Sequence, residues 1–123
     1  MKPDFTPGKN IAMKVPSHEY EKTVHFYQTI LGFKQIENAP VDEFESVAFE
    51  FGDKHLWIDK ITGISQAEVW LEINTQDPKS AQRYLEQQGC VIRNEIETLP
   101  SNFNGFWLAN PSNVIHLVAV AGQ

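Results

Sequence analysis

Residues 10–33 read NIAMKVPSHEYEKTVHFYQTILGF, a strand followed by a helix. Ile11, Met13 and Val15 alternate with Asn10, Ala12 and Lys14, the period of a strand with one buried face, and Pro16 ends it. Ser17 then offers a helix N-cap. Tyr20, Val24, Tyr27 and Leu31 follow at spacings of four, three and four residues, one apolar stripe along a helix that Gly32 stops. Beyond it, segments 33–37, 45–51 and 55–60 have strand character, the last two joined by a turn at Gly52, Asp53 and Lys54. The first half of the chain therefore reads β-α-β-β-β.

The second half repeats that order. Residues 67–74 alternate Val69, Leu71 and Ile73 with Glu68, Trp70 and Glu72, and Asp77 with Pro78 supplies an N-cap and a proline at the first helical position. Ala81, Tyr84 and Leu85 form that helix's buried stripe and Gly89 ends it; segments 90–95, 105–110 and 114–120 complete the set. Four anchor pairs, Asn10 with Glu68, Gly32 with Gly89, Phe51 with Asn110 and Trp57 with His116, lie 58, 57, 59 and 59 residues apart, which argues for two copies of one module. The expected fold class is α+β: two tandem βαβββ modules, about 9–60 and about 67–120, in a single domain over 1–123. Their strands would form a curved mixed sheet around a cavity, with the helices outside. The first eight residues, with Pro3, Pro7 and Gly8, read as an irregular lead-in.

Composition narrows the function. A chain of 123 residues with 41% hydrophobic and 21% charged residues can hold a core without disulfides or a structural metal. Ten Lys plus Arg against sixteen Asp plus Glu give a net charge of −6, with no basic run longer than a dipeptide, which weighs against nucleic-acid binding. Cys90 is the single cysteine, so an internal bridge is impossible and a reducing compartment fits. With no apolar leader at the start and no long apolar stretch, a soluble, cytoplasmic protein without membrane attachment is expected.

If the more apolar face of each strand packs on the helices, Ile11, Met13, Val15, Leu56, Ile58, Val69, Leu71, Ile73, Ile115 and Leu117 turn outward toward them. Asn10, Ala12, Lys14, His55, Trp57, Asp59, Glu68, Trp70, Glu72, Val114, His116 and Val118 then line the cavity. Tryptophans, carboxylates and histidines together resemble the lining of a small-molecule pocket. Trp57 and Trp70 present flat surfaces for a planar guest, whereas Trp107, between Phe106 and Leu108, reads as packing. Glu68 and His116 read as a polar pair. No phosphate-binding glycine loop, HExxH or GxSxG phrase occurs, so dinucleotide, ATP, zincin and serine-hydrolase chemistry have no support.

The sequence resembles the vicinal oxygen chelate superfamily, which includes glyoxalase I, extradiol dioxygenases, fosfomycin-resistance enzymes and bleomycin-resistance proteins. The likeness runs over about 9–120 and is carried by the strand at 10–15, the phrase FYQTILGF at 26–33, the turn Phe51-Gly52-Asp53, and NPSNVIHL at 110–117, where the family has D-P-x-G-x-x-x-E-L. In metal-dependent members the ligand positions carry over onto Asn10, Trp57, Glu68 and His116. Glu68 and His116 are donors suited to Zn, Ni, Fe or Mn; Asn10 is a weak neutral donor and Trp57 is none, with His55 or Asp59 as substitutes if the register there is shifted. The resemblance thus implies a protein of the bleomycin-resistance kind that binds a small, planar or aromatic organic molecule through Asn10, Trp57, Glu68, Trp70 and His116. It would lack a complete metal site, and no catalytic residue is assigned. The alternative is a divalent-metal-dependent lyase, isomerase or dioxygenase with Glu68 and His116 among the ligands; a third reading is an interaction domain whose cavity is filled by its own aromatics. The family also implies a homodimer, with the modules pairing within or between chains.

Overall fold

The alternation at residues 10–15 is a strand, and its neighbours follow the same rule. The structure, a computed structural model, describes residues 2–37 and 45–122. In chain order the elements are β1 Thr6–Pro7, β2 Asn10–Pro16, α1 Tyr20–His25, β3 Ser46–Phe51, β4 Lys54–Ile61, β5 Glu68–Asn74, α2 Pro78–Gln87, β6 Val91–Ile92, β7 Gly105–Ala109 and β8 Ile115–Ala119. They fall into two units, Lys9–Trp70 and Leu71–Gln123 with Met1–Gly8. Among the described residues no helix is long and apolar enough to cross a membrane.

In the first unit β2 is central. It runs parallel to β4, from Asn10 opposite His55 to Pro16 opposite Ile61, and antiparallel to the start of β5, where Lys14 faces Glu68 and Ala12 faces Trp70. β3 folds back on β4 through a turn in which Gly52 has a φ of +64°. The apolar phase of these strands packs on the helix: Val15, Tyr20, Phe49, Leu56 and Ile58 are buried, with Ile11, Met13, Val24, Tyr27 and Phe33 around them. Burying each such large side chain contributes about 1.5–3 kcal/mol.

The helix expected after Ser17 forms in three pieces: a 3₁₀ turn at Ser17–Glu19, α1, and a wide π turn at Phe26–Ile30. Ser17 does not cap it; its hydroxyl donates to the Ile61 carbonyl at 3.3 Å. Within the wide turn Tyr27 lies 6.1 Å from Phe33 and 6.2 Å from Phe49, and Gly32 takes the left-handed φ of +74° that lets the chain leave the helix. The strand expected at 33–37 shrinks to one bridge, Gln35 to Phe49, flanked by backbone bonds from Ile36 to Ala48 and from Glu50 to Lys34.

In the second unit the end of β5 runs parallel to β8, β8 antiparallel to β7, and β7 antiparallel to the short β6. The expected strand at 90–95 stops after Ile92 because the Asn94 side chain accepts the Trp107 N–H at 2.9 Å, a donor that a longer ladder would use. Asp77 caps α2 by accepting from the Ser80 N–H at 3.3 Å, and Pro78 opens the helix, as the sequence indicates. Ala81, Phe106, Leu108 and Val118 form the core, with Phe5, Ile73, Leu85 and Ile92 around it.

Two expectations are corrected here. The lead-in is structured: β1 pairs with β5, the Thr75 hydroxyl donates to the Asp4 carbonyl at 2.9 Å, and the Gly8 N–H donates to the Glu72 carbonyl at 2.8 Å. A Cβ on Gly8 would lie 2.4 Å from the Glu72 Cγ, so glycine is required by that approach. The second correction concerns β8. Val118 is fully buried in the core beneath α2, and its neighbours in the ladders are Ile73 and Phe106. His116 shares that face, opposite Leu71 and Leu108, while Ile115 and Leu117 take the other. The expected facing of Val114–Val118 is therefore inverted.

Candidate functional site

The face of the first unit turned away from its helix carries three rows of side chains. Directly opposed residues in adjacent strands share a face, so the register fixes each row. One row reads Ser46, Asp59, Lys14, Glu68; the next Ala48, Trp57, Ala12, Trp70; the third Glu50, His55, Asn10. The sequence places most of these residues here for a simple reason: their odd or even neighbours, such as Val15, Leu56 and Ile58, are the ones the core consumes.

The first row is charged and buried. Lys14 and Asp59 are only 4% and 5% exposed, and the ammonium donates to Asp59 Oδ2 at 2.7 Å. The Ser46 hydroxyl donates to Asp59 Oδ1 at 2.5 Å, so both carboxylate oxygens are engaged. Lys14 Nζ also lies 4.3 Å from the centre of the Trp70 ring, a cation–π contact. Glu68, across from Lys14, is exposed.

The middle row is tryptophan and alanine in alternation. Trp57 is held by a hydrogen bond from its Nε1 to Asn10 Oδ1 at 2.8 Å, so its ring leans toward the third row. Trp70 is held against Lys14, at the other end of β2. Between them Ala12 is half-buried and contributes only a methyl group.

Tyr20 borders this face from the helix side. Its hydroxyl is buried and lacks a hydrogen-bond partner among the described residues. Burial, then the negative charges of Glu45 and Asp59, push its pKa above the usual tyrosine value. Away from the rows, a depression of about 540 Å³ is lined by Gly32, Phe33, Lys34, Glu50, Phe51 and Gly52; apart from Glu50 it holds none of the row residues.

The four positions that the family resemblance assigns to a metal do not make a ligand set. Asn10 Oδ1 is occupied by the Trp57 N–H, Trp57 has no lone pair to offer, and Glu68 stands on the face of β5 opposite to Leu71. His116 lies with Leu71, and its Nδ1 donates to the Val114 carbonyl at 3.0 Å. The expected Glu68–His116 pair thus does not share a face. Among the described residues, no group of three or more His, Cys, Asp and Glu side chains could hold a metal ion. The donor chemistry does not fit a divalent centre at these positions.

Sequence reading brings together Asn10, Trp57, Glu68 and Trp70, and misses Ser46 and the central place of Ala12. Lys14 and Asp59 were legible as residues of this face but not as a pair. Only the parallel register of β2 and β4 makes them neighbours, and no local pattern encodes it.

No protein-family model and no curated protein matches the chain. Solved structures do. Homoprotocatechuate 2,3-dioxygenase from Brevibacterium fuscum, in a variant form, is 16% identical, with a TM-score of 0.66 over 99% of this chain and 34% of that one. The enzyme of the same name from Arthrobacter globiformis is 17% identical, with a TM-score of 0.66 over 99% of this chain and 38% of that one. A Mn(II)-bound glyoxalase from Novosphingobium aromaticivorans is 12% identical, with a TM-score of 0.67 over 98% of this chain and 42% of that one. The chain therefore spans between a third and somewhat over two-fifths of the length of these proteins, and at such identities the likeness is one of fold. The fold of this chain is that of the dioxygenase and glyoxalase chains it matches, the α+β arrangement of tandem βαβββ-like modules that its resemblance to the vicinal oxygen chelate superfamily implied.

Proposed function

We propose that the chain binds a small planar organic molecule on the helix-free face of its first unit and holds it without transforming it. The row Ala48, Trp57, Ala12, Trp70 carries this reading. Trp57 and Trp70 stand on strands two steps apart, a separation of about 10 Å at the usual strand spacing. Because Trp57 leans toward Asn10 and Trp70 toward Lys14, a flat ring seated over Ala12 stacks on the Trp57 face rather than between parallel indoles. The methyl group of Ala12 leaves the floor between the two indoles low enough to admit it.

Both rings are already held, Trp57 by Asn10 and Trp70 by Lys14, so little side-chain entropy is lost when a guest arrives. Glu68 is a polar anchor at the exposed end; His116 has no part in this site. The metal-dependent lyase, isomerase or dioxygenase alternative needs convergent donors, whereas Trp57 offers none, Asn10 Oδ1 is engaged, and Glu68 and His116 stand on opposite faces of their strands. We further propose a cytoplasmic homodimer, a reading supported by the unpaired Cys90 and by the exposed Phe26, Ile30 and Leu31; sedimentation at twice 14.0 kDa is its check.

The binding reading is tested with quinoline, titrated while indole emission is followed. Binding to the wild type is expected, with affinity reduced at least tenfold in Ala12→Leu, whose side chain fills the floor, and in Trp57→Ala. Circular dichroism melts confirm that both variants fold. Absence of quinoline binding by the wild type, or an Ala12→Leu protein that binds equally well, overturns the reading.

A further inference from the structure

We infer that the guest is a planar aromatic cation, selected over neutral and anionic molecules of the same shape. This rests on reading the helix-free face of the first unit as a binding site and adds the charge of what it binds.

Two carboxylates of the three rows have an ion-pair partner. Asp59 is neutralised by Lys14 at 2.7 Å, and Glu50 by Lys34 at 3.5 Å. Glu68 makes no ion pair among the described residues. It is exposed at the end of the charged row, two residues before Trp70 on the same face of β5. Glu68 therefore sets an exposed carboxylate beside Trp70, on a chain whose net charge of −6 already attracts cations over longer range.

The indoles point the same way. Trp70 already takes a cation on its ring, the Lys14 ammonium at 4.3 Å. Trp57 donates its N–H to the Asn10 carbonyl oxygen, and a donated hydrogen bond polarises the indole so that its π face becomes richer in electron density. A flat cation seated over Ala12 gains from the Trp57 face and from Glu68 together. A carboxylate in the same place meets Glu68 and the Trp57 π face, both repulsive, while the Lys14 ammonium on Trp70 is already offset by Asp59.

The test compares 1-methylquinolinium, quinoline and 1-naphthoate by calorimetry at pH 8, above the usual imidazole range. The expected order is 1-methylquinolinium tightest, by about tenfold over quinoline, with 1-naphthoate weakest. Glu68→Gln should reduce the ratio between the first two at least threefold, and added salt should reduce it in the wild type. Quinoline or 1-naphthoate binding as tightly as 1-methylquinolinium overturns the charge inference alone, as does an unchanged ratio in Glu68→Gln. If none of the three binds, the reading of the face as a site falls with it.

Discussion

Trp57 and His116 occupy matching places in the two halves of the sequence, and the fold treats them in opposite ways. Trp57 stands on the face of β4 turned away from its helix; His116 lies on the helix-covered face of β8. The difference comes from a single residue of register. Met13 pairs with Ile58 in the first unit and Ile73 with Val118 in the second, and both Ile58 and Val118 are fully buried. Along these strands the repeat is therefore 60 residues, whereas the 59 separating Trp57 from His116 is odd. An odd slip moves every side chain to the other face of a sheet. The true counterpart of Trp57 is Leu117.

Charging each face of β8 in turn tests this difference directly. Val118→Asp puts an unpaired carboxylate into the second core and should cost more than about 4 kcal/mol, enough to unfold a marginal chain. Leu117→Asp, on the half-exposed opposite face, should cost about 1–2 kcal/mol. Urea denaturation of both variants measures this. The reverse order would return His116 to the helix-free face.

What could be read in advance followed from periodicity. The first unit was legible because β2 alternates apolar with small or polar residues, and Pro16 and Gly32 punctuate it. β8 was not, because Val114-Ile115-His116-Leu117-Val118-Ala119-Val120 is apolar in both phases, and its one polar residue suggested the wrong face. A better signal was present. Counted residue by residue from Asn110, the family phrase D-P-x-G-x-x-x-E-L puts its glycine on Asn113, its acid on Leu117 and its final leucine on Val118. Asn113 does adopt the left-handed φ of +62° that a glycine would take there, and Val118 is the core residue. A leucine at the acidic position cannot ligate a metal. The lone histidine one residue earlier concealed that, and the Lys14–Asp59 contact needed a long-range register that no sequence window contains.

The Lys14–Asp59 contact also separates the two units in energy. At the same offset of 60, Lys14 and Asp59 correspond to Asn74 and Ala119, joined in the second unit by a neutral hydrogen bond from Asn74 Nδ2 to the Ala119 carbonyl at 3.3 Å. Lys14→Met strands a buried carboxylate and should cost about 3–5 kcal/mol. The double variant Lys14→Met with Asp59→Leu should recover most of this, because the desolvation of both charges is removed together. Asn74→Ala should cost about 1 kcal/mol. Equal losses for Lys14→Met and Asn74→Ala would mean the ion pair contributes no more than an ordinary hydrogen bond.

The two helices differ in what they bury. α1 inserts Tyr20, with a hydroxyl that finds no partner among the described residues, and α2 inserts Ala81. Removing that hydroxyl by Tyr20→Phe should stabilise the chain by about 1 kcal/mol. A pH signature accompanies it. The tyrosine pKa is raised in the folded state, so above pH 10.0, the ordinary value, the unfolded chain loses its proton first and stability falls as pH rises toward the folded pKa. Between pH 8 and pH 11 the wild type should lose more stability than Tyr20→Phe, as read from urea midpoints. A steeper loss in the variant would contradict the assignment.

The smallest contrast lies in how the two helices begin. Asp77 and Ser17 are the same signal in sequence, a small polar residue ahead of an apolar stripe, yet only Asp77 accepts a bond from its own helix. Ser17 turns its hydroxyl to the Ile61 carbonyl at the end of β4, which tethers the strand beside it and leaves the first turn to close as 3₁₀. Asp77→Ala should therefore cost about 1 kcal/mol and Ser17→Ala only a few tenths, since a 3.3 Å bond to a half-buried carbonyl is replaced by water. If Ser17→Ala costs as much as Asp77→Ala, the hydroxyl is acting as a cap in solution. The first helix would then start one turn earlier, as the serine's position in the sequence suggests.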